Sequence, residues 1–324
     1  MEGSLPPLSM GSPMGTPPGH RPPPPAASPG GAPLDAPLAA PLDIPLPAAS
    51  RAANLRGDYA AARPDGTVDQ DVAAYTAADH ATWRTLHARQ SALLPGRAAA
   101  AFRDGLRRLD CGDGVPDFAR ASDRLRAATG WSLVAVPGLI ADGAFFEHLA
   151  ARRFPVTVWL RRPDELDYLV EPDVFHDFLG HVPLLMQPDF AAFMERYGRL
   201  GAWAMRHGAL LPLARLYWFM VEFGLIREEG ATRAYGAGIL SSRAELLHAT
   251  GDGGARAPRR LRFDLGRVLR SDYVIDDLQP TLFVLDDYAT LFAAARDLPE
   301  HLLAARDAPA IAPGAADPDD QPAR

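Results

Sequence analysis

The sequence predicts a mainly α domain with small β elements, an α+β fold. Three observations carry that expectation. Capped helical patterns recur from about residue 76 to residue 298. Only three short β-branched runs interrupt them. The stretch "EPDVFHDFLGHVPLL", residues 171–185, sets His176 and His181 five positions apart in a mostly apolar segment that has a functional rather than a sheet-like character.

The elements follow in order. Residues 1–58 hold fifteen of the 32 prolines, all within the first 50 positions, and the first aromatic residue is Tyr59. Without aromatics such a segment buries too little apolar area to offset its ordering entropy, so it is expected to be a disordered Pro/Ala-rich extension. Its "RPPPP" suits a proline-reading partner, or is simply biased composition. "TAADHATWRTLHARQSALLPG" opens on a Thr76/Asp79 cap pattern and is expected to stop at Pro95-Gly96. "FRDGLRRL" and "FARASDRLRAATG" read as helices, the second closed by Gly130. "WSLVAVPG" and "FPVTVWL" read as strands, since β-branched and aromatic residues concentrate there. Helices are expected at "DFAAFMERYGRLGAWAM" and across "LARLYWFMVEFGLIREEG", then a last strand at "TLFVLD" and a helix at "DDYATLFAAARDL". One domain over 59–300 and a flexible tail over 301–324 complete the organisation.

Composition excludes several classes. Apolar residues make up 48% and charged residues 23%, ordinary for a globular protein. The net charge of −7 favours neither nucleic acid nor an anionic membrane. All 33 cationic residues are Arg, a compositional bias that weakens any argument from an isolated Arg. The lone Cys111 rules out an intramolecular disulfide and a cysteine-cluster zinc site, and suits a reducing cytoplasm. No apolar run reaches the roughly 18 residues of a membrane helix. The start "MEGSLPPLSM" lacks the basic and apolar regions of a signal peptide.

The two histidines set the chemical question. In a regular helix five residues advance by about 140°, so the two rings would diverge. Convergence needs an irregular turn, and Gly180 and Pro183 flank His181 where one would sit. In "LYWFMVEFGLI", residues 216–226, Glu222 is the one charge in eleven residues. A bare carboxylate there costs several kcal/mol unless paired or bound to a cation; Arg215 and Arg227 are the salt-bridge alternatives. Two imidazoles and one carboxylate fit either a non-haem Fe(II) facial triad or a catalytic zinc site. Core histidines bonded to backbone carbonyls are the bland alternative.

The motifs "EPDVFHDFLGHVPLL", "YWFMVEFGL" and "AYGAGILSS", in this order, resemble the pterin-dependent aromatic amino acid hydroxylases over residues 59–300. The resemblance implies that family's catalytic-domain fold, with Fe(II) held by His176, His181 and Glu222. It further implies that a tetrahydropterin supplies electrons and that O₂ is the co-substrate for hydroxylation of an aromatic amino acid, phenylalanine first. The metal and cofactor would carry the hard chemistry, leaving no side chain to act as nucleophile. By the same resemblance Arg161 clamps the substrate carboxylate, Pro172 and Trp218 wall the ring, and Ser241 and Glu245 complete the substrate side. Ser242 and Glu245 also have capping-box spacing. Gly138, Leu139 and Ile140 would offer backbone contacts to the pterin, Phe145 would stack on it, and Ala214 and Tyr217 would lie on its side of the Glu222 helix. Solvated Arg and simple core packing remain alternatives for Arg161, Phe145 and Trp218.

Departures accompany the likeness. Asp177 stands where the animal enzymes carry Glu, which makes a direct pterin contact doubtful and favours a bridging water. Leu169 replaces a threonine near the substrate. Pro155 and Val284 fall where the family tunes its pocket, and their small apolar side chains favour phenylalanine. No counterpart of the animal regulatory domain or tetramerising coiled coil is present, and the segment after Pro299 lacks a sustained heptad, so a monomer is expected. Tyrosine or tryptophan hydroxylation, a His₂Glu zinc hydrolase and a helical interaction protein using its Pro-rich arm are the competing functions.

Overall fold

The computed structural model describes residues 56–167, 171–251, 257–275 and 277–323. The first helix, α1 (Ala77–Ser91), starts where its cap pattern places it: Thr76 accepts from the Asp79 backbone N–H, and the Asp79 carboxylate returns a contact to the Thr76 backbone. It ends at Ser91 rather than at Pro95-Gly96, with the chain turning over 92–97. Helices α2 (Ala100–Leu109) and α3 (Phe118–Thr129) follow, the latter closed by left-handed Gly130. Strand β1 (Ser132–Val136), helix α4 (Asp142–Ala150) and strand β2 (Arg153–Thr157) form one crossover unit in which β1 and β2 pair in parallel.

A seven-residue π-helical segment, Phe175–His181, comes next and leads into the short α5 (Val182–Leu185) and long α6 (Pro188–Arg206). Helix α7 (Leu210–Leu216) runs into a second π segment, Tyr217–Glu222. Where a continuous helix was expected over 213–230, the chain leaves it after Glu222. Residues Leu225–Glu228 form β3, paired antiparallel with β4 (Ala231–Ala234). Gly224 and Gly230 favour that change, Gly230 adopting positive φ in the connecting turn.

Helices α8 (Ala237–Ser241) and α9 (Arg243–Thr250), strand β5 (Arg259–Arg262), helix α10 (Leu265–Arg270), strand β6 (Thr281–Leu285) and helices α11 (Tyr288–Ala294) and α12 (Leu298–Asp307) complete the chain. The second sheet has the order β4-β3-β6-β5, with β6 buried along its whole length. This is the mainly α, minor β architecture the sequence predicts.

Two expected boundaries move. The segment expected to be a flexible tail is tied down. Helix α12 extends to Asp307, Ile311 exchanges backbone hydrogen bonds with the end of α10, and Asp320 bridges Arg267 and Arg259. Buried Leu302, Ala305 and Ile311 give this segment apolar anchors that its Pro- and Asp-rich composition conceals. At the other end Arg56 already belongs to the domain. Its backbone N–H donates to Glu171 at 3.2 Å, and its guanidinium pairs with Glu165 and lies over the Trp159 ring. The rest of the expected extension, residues 1–55, lies outside the described residues, as does Leu169.

The core gathers around the first π segment. Phe175 and Phe178 meet Trp83 edge-on, and Phe178 stacks on Phe118. Gly180 lets α8 approach: a Cβ there would lie 2.9 Å from the Ala237 carbonyl oxygen, closer than such contacts allow. That approach brings the end of α8 to the histidines.

Candidate metal centre

Backbone irregularity does the converging. A π-helix closes its hydrogen bonds from i to i+5, so residues five apart return to one face. His176 and His181 therefore face together, ring centroids 5.2 Å apart. Glu222, last residue of the second π segment, faces both: its Oε2 lies 3.7 Å from His176 Nε2 and its Oε1 3.1 Å from His181 Nε2. One donor atom from each of the three lies within 4.8 Å of the others.

The salt-bridge alternative for Glu222 fails on position. Arg215 is buried and paired with Asp272, and Arg227 sits on β3 beyond the helix end. The bland alternative for the histidines fails too, since their Nε2 atoms face a carboxylate rather than backbone carbonyls. Burial opposes charge on His181, but the Glu222 carboxylate outweighs it and holds the imidazole above its ordinary value. Burial likewise opposes ionisation of Glu222, and the facing imidazoles reverse that and keep it below the usual carboxylate range. A divalent cation in this position would balance the Glu222 carboxylate with both imidazoles neutral.

The supporting contacts are specific. His176 Nδ1 and Ser241 Oγ are 2.8 Å apart, and Ser241 Oγ donates to the Ala237 carbonyl at 2.8 Å. Asp173, fully buried, accepts from the His176 backbone N–H at 3.0 Å. Asp177 accepts from the Thr157 backbone N–H at 2.8 Å, which anchors the ligand segment to the end of β2. Burial pushes the Asp177 carboxyl up, and both imidazoles oppose the shift.

The centre opens into a cavity of about 720 Å³. Nine of the residues expected in the site line it: Leu139, Arg161, Pro172, His176, Tyr217, Trp218, Glu222, Ser241 and Glu245. His181 is buried at 6% exposure and is not among the lining residues. Gly138, Ile140, Phe145 and Ala214 are not among the lining residues either. Gly138 has φ +153°, and a Cβ there would lie 2.5 Å from the Tyr59 hydroxyl, so the loop it belongs to presses against the N-terminal segment. Phe145 meets Tyr217 edge-on at 5.7 Å. Pro155 and Val284 lie within β2 and β6 and do not line the cavity, so they carry no argument for substrate choice.

Arg161 is no solvated surface cation. It is 7% exposed, and Asp173 holds its Nε and Nη2 at 2.8 Å each, while Nη1 has only a 3.4 Å contact to the Leu166 carbonyl. Sequence reasoning missed Asp173, although an acid beside Pro172 in an apolar run was a signal for it. It also missed Tyr273, whose ring stacks on Trp218 at 4.2 Å, and fully buried Gln279, which accepts from Trp218 Nε1 at 3.1 Å. Those residues have no local signature.

An α-rich domain enclosing two histidines and one carboxylate beside an aromatic-walled cavity has the donor set of a mononuclear metal enzyme, non-haem iron or catalytic zinc. The chain belongs to the biopterin-dependent aromatic amino acid hydroxylases, whose family model matches residues 58–303. It is 56% identical over 235 residues to the phenylalanine-4-hydroxylase of Ralstonia nicotianae, covering 72% of this chain and 74% of the relative. It is 53% identical over 258 residues to that of Chromobacterium violaceum, covering 79% and 86%. The crystal structure of the C. violaceum phenylalanine hydroxylase with iron and phenylalanine bound matches with a TM-score of 0.75 at 48% identity, over 85% of this chain and 99% of that one. The structure of the same enzyme with bound Fe(III) gives 0.77 at 49%, over 86% and 100%.

Proposed function

We propose that this chain is a monooxygenase that hydroxylates L-phenylalanine to L-tyrosine, using Fe(II), a tetrahydropterin and O₂. The observation that carries the reading is the His176, His181, Glu222 donor set facing one cavity wide enough for an amino acid and a cofactor together. Two neutral imidazoles and a carboxylate fit Fe(II) and leave its other face for oxygen and substrate. Iron and pterin, when bound, supply the activation of O₂ and the electrons for it.

The chain's own residues bind, orient and exclude water. Arg161 receives the substrate carboxylate through Nη1, the donor Asp173 leaves without a short contact. Trp218 and Pro172 wall the aromatic ring, and Trp218 is held rigid by Tyr273 and Gln279. The loop Gly138–Ile140, with Phe145, Ala214 and Tyr217, forms the pterin side, where Phe145 offers an aromatic face. Asp177 is committed to the Thr157 backbone, which favours a water-bridged contact to the pterin.

The protein is further read as a cytoplasmic monomer that leaves nucleic acid and membranes alone. A lone buried cysteine suits a reducing compartment, and no described helix is long and apolar enough to cross a membrane. Light scattering during gel filtration tests the oligomeric state.

The decisive experiment incubates iron-loaded protein with a tetrahydropterin and phenylalanine, tyrosine or tryptophan, with and without O₂. Oxygen-dependent formation of tyrosine from phenylalanine is expected. Turnover of the other two substrates alone would reassign the specificity, and no oxygen-dependent product from any of them would reject the reading.

A further inference from the structure

We infer that Glu245 receives the α-ammonium group of the substrate, so that the cavity selects amino acids over the same acids lacking the amine. This rests on the amino acid reading above and gives Glu245 a specific partner on the substrate.

The argument accounts for every acid on the cavity wall. Asp167 pairs with Arg89. Glu171 accepts from the Arg56 backbone N–H and, at 3.4 Å, from the Tyr59 hydroxyl. Glu222 faces both imidazoles. Asp277 accepts from the adjacent Leu278 backbone N–H. Glu245 differs, because its Oε2 is buried and has no hydrogen-bond partner. No ion pair satisfies it among the described residues.

A helix-capping role does not occupy it either. Ser242 Oγ accepts from the Glu245 backbone N–H at 3.3 Å, but the return contact of a capping box is missing, since the Ser242 backbone N–H donates to Ile239. The carboxylate is left at the cavity with the charge of Asp277 nearby and the Gln279 backbone amide as its one favourable neighbour. Burial, reinforced by Asp277 and partly offset by Gln279, pushes the Glu245 carboxyl up to about 7. A buried carboxylate without a partner is costly, and a cation that completes it is correspondingly favoured.

An amino acid brings one such cation. Its carboxylate meets Arg161, whose charge Asp173 already balances, so the carboxylate end alone gives limited affinity. The ammonium adds the contact that separates phenylalanine from 3-phenylpropanoate, which has the same ring and carboxylate and no amine.

The test compares calorimetric binding of L-phenylalanine and 3-phenylpropanoate to the anaerobic, iron-loaded protein with a tetrahydropterin present. Glu245→Gln keeps the size and an acceptor for the Gln279 amide. It is expected to weaken L-phenylalanine by about tenfold or more while leaving 3-phenylpropanoate within about twofold. Glu245→Asp should retain part of the preference, and Asp277→Asn should reduce it less than Glu245→Gln does. Equal losses for both ligands would assign Glu245 a structural role, and no loss for either would remove it from the site; both overturn the inference. Wild-type turnover of phenylalanine in parallel keeps the questions apart, because turnover without an effect of Glu245→Gln on discrimination defeats this inference alone.

Discussion

Ser241 Oγ sits 2.8 Å from His176 Nδ1 and spends its only proton on the Ala237 carbonyl. It must therefore accept from the imidazole, so Nδ1 carries the hydrogen and the Nε2 lone pair faces Glu222 and the metal position. Such partners orient a ligand and raise its basicity. Ser241→Ala is expected to weaken Fe(II) binding by about 10- to 100-fold. Competition with a chromophoric chelator measures it; unchanged affinity would mean that Ser241 does not set the tautomer.

Removing a ligand should do far more. His176→Ala, His181→Ala and Glu222→Ala each delete one of the three donors that lie within 4.8 Å of one another. Each variant is expected to lose most of its iron and nearly all turnover. Iron per protein by plasma emission spectroscopy is the readout, and any variant that keeps full occupancy identifies a residue that is not a ligand.

How much of this was visible in the sequence depends on how local each cause is. The cap of α1 and the stop at Gly130 were legible because they lie within a few residues of the helices they bound. The i, i+5 histidine spacing was legible as a demand for an irregular turn, and the π segment answers it. The strand at "LIREEG" is not legible in the sequence, because the segment carries no strong strand pattern and owes its conformation to pairing with β4 and β6. Arg161 was found by resemblance, but its tie to Asp173 spans twelve residues and depends on the fold. Tyr273 and Gln279 reach Trp218 from more than fifty residues away, and no local pattern marks them.

The Arg161–Asp173 pair makes opposite predictions for its two members. Arg161→Ala removes the substrate-facing guanidinium and should mainly raise the KM for phenylalanine, by about tenfold or more, with a smaller change in kcat. Asp173→Ala leaves a buried guanidinium uncompensated and frees the His176 backbone N–H, so it should act on the fold. Loss of such a partner costs about 3–5 kcal/mol. Urea unfolding of both variants beside steady-state kinetics distinguishes them, and an unchanged KM for Arg161→Ala would remove it from the substrate site.

Gly180 should couple packing to the metal. An added methyl would have to push back the Ala237 carbonyl, which belongs to the helix that presents Ser241. Overpacking of this kind costs about 1–3 kcal/mol. Gly180→Ala is therefore expected to lower the melting temperature and weaken Fe(II) binding together, whereas Ser241→Ala should weaken binding with little effect on melting. Full iron affinity in a destabilised Gly180→Ala protein would break the proposed coupling.

Cys111 tests the core outside the cavity lining. It is 7% exposed, and burial pushes its thiol from 9.0 up to about 12. Since the thiolate is the nucleophile, the buried thiol should be far less reactive at pH 8 than a free cysteine. Iodoacetamide at pH 8 should leave the native protein unmodified and label it stoichiometrically in urea. The same shift has a signed effect on stability. Folding keeps the thiol protonated where the unfolded chain would ionise it, so the unfolded state binds fewer protons and stability falls as pH rises from about 9 towards 12. The stability difference between wild type and Cys111→Ala should accordingly shrink between pH 8 and pH 10.5 in urea titrations. A constant difference, or rapid alkylation of the folded protein, would show that the thiol is not held in the apolar environment the packing describes.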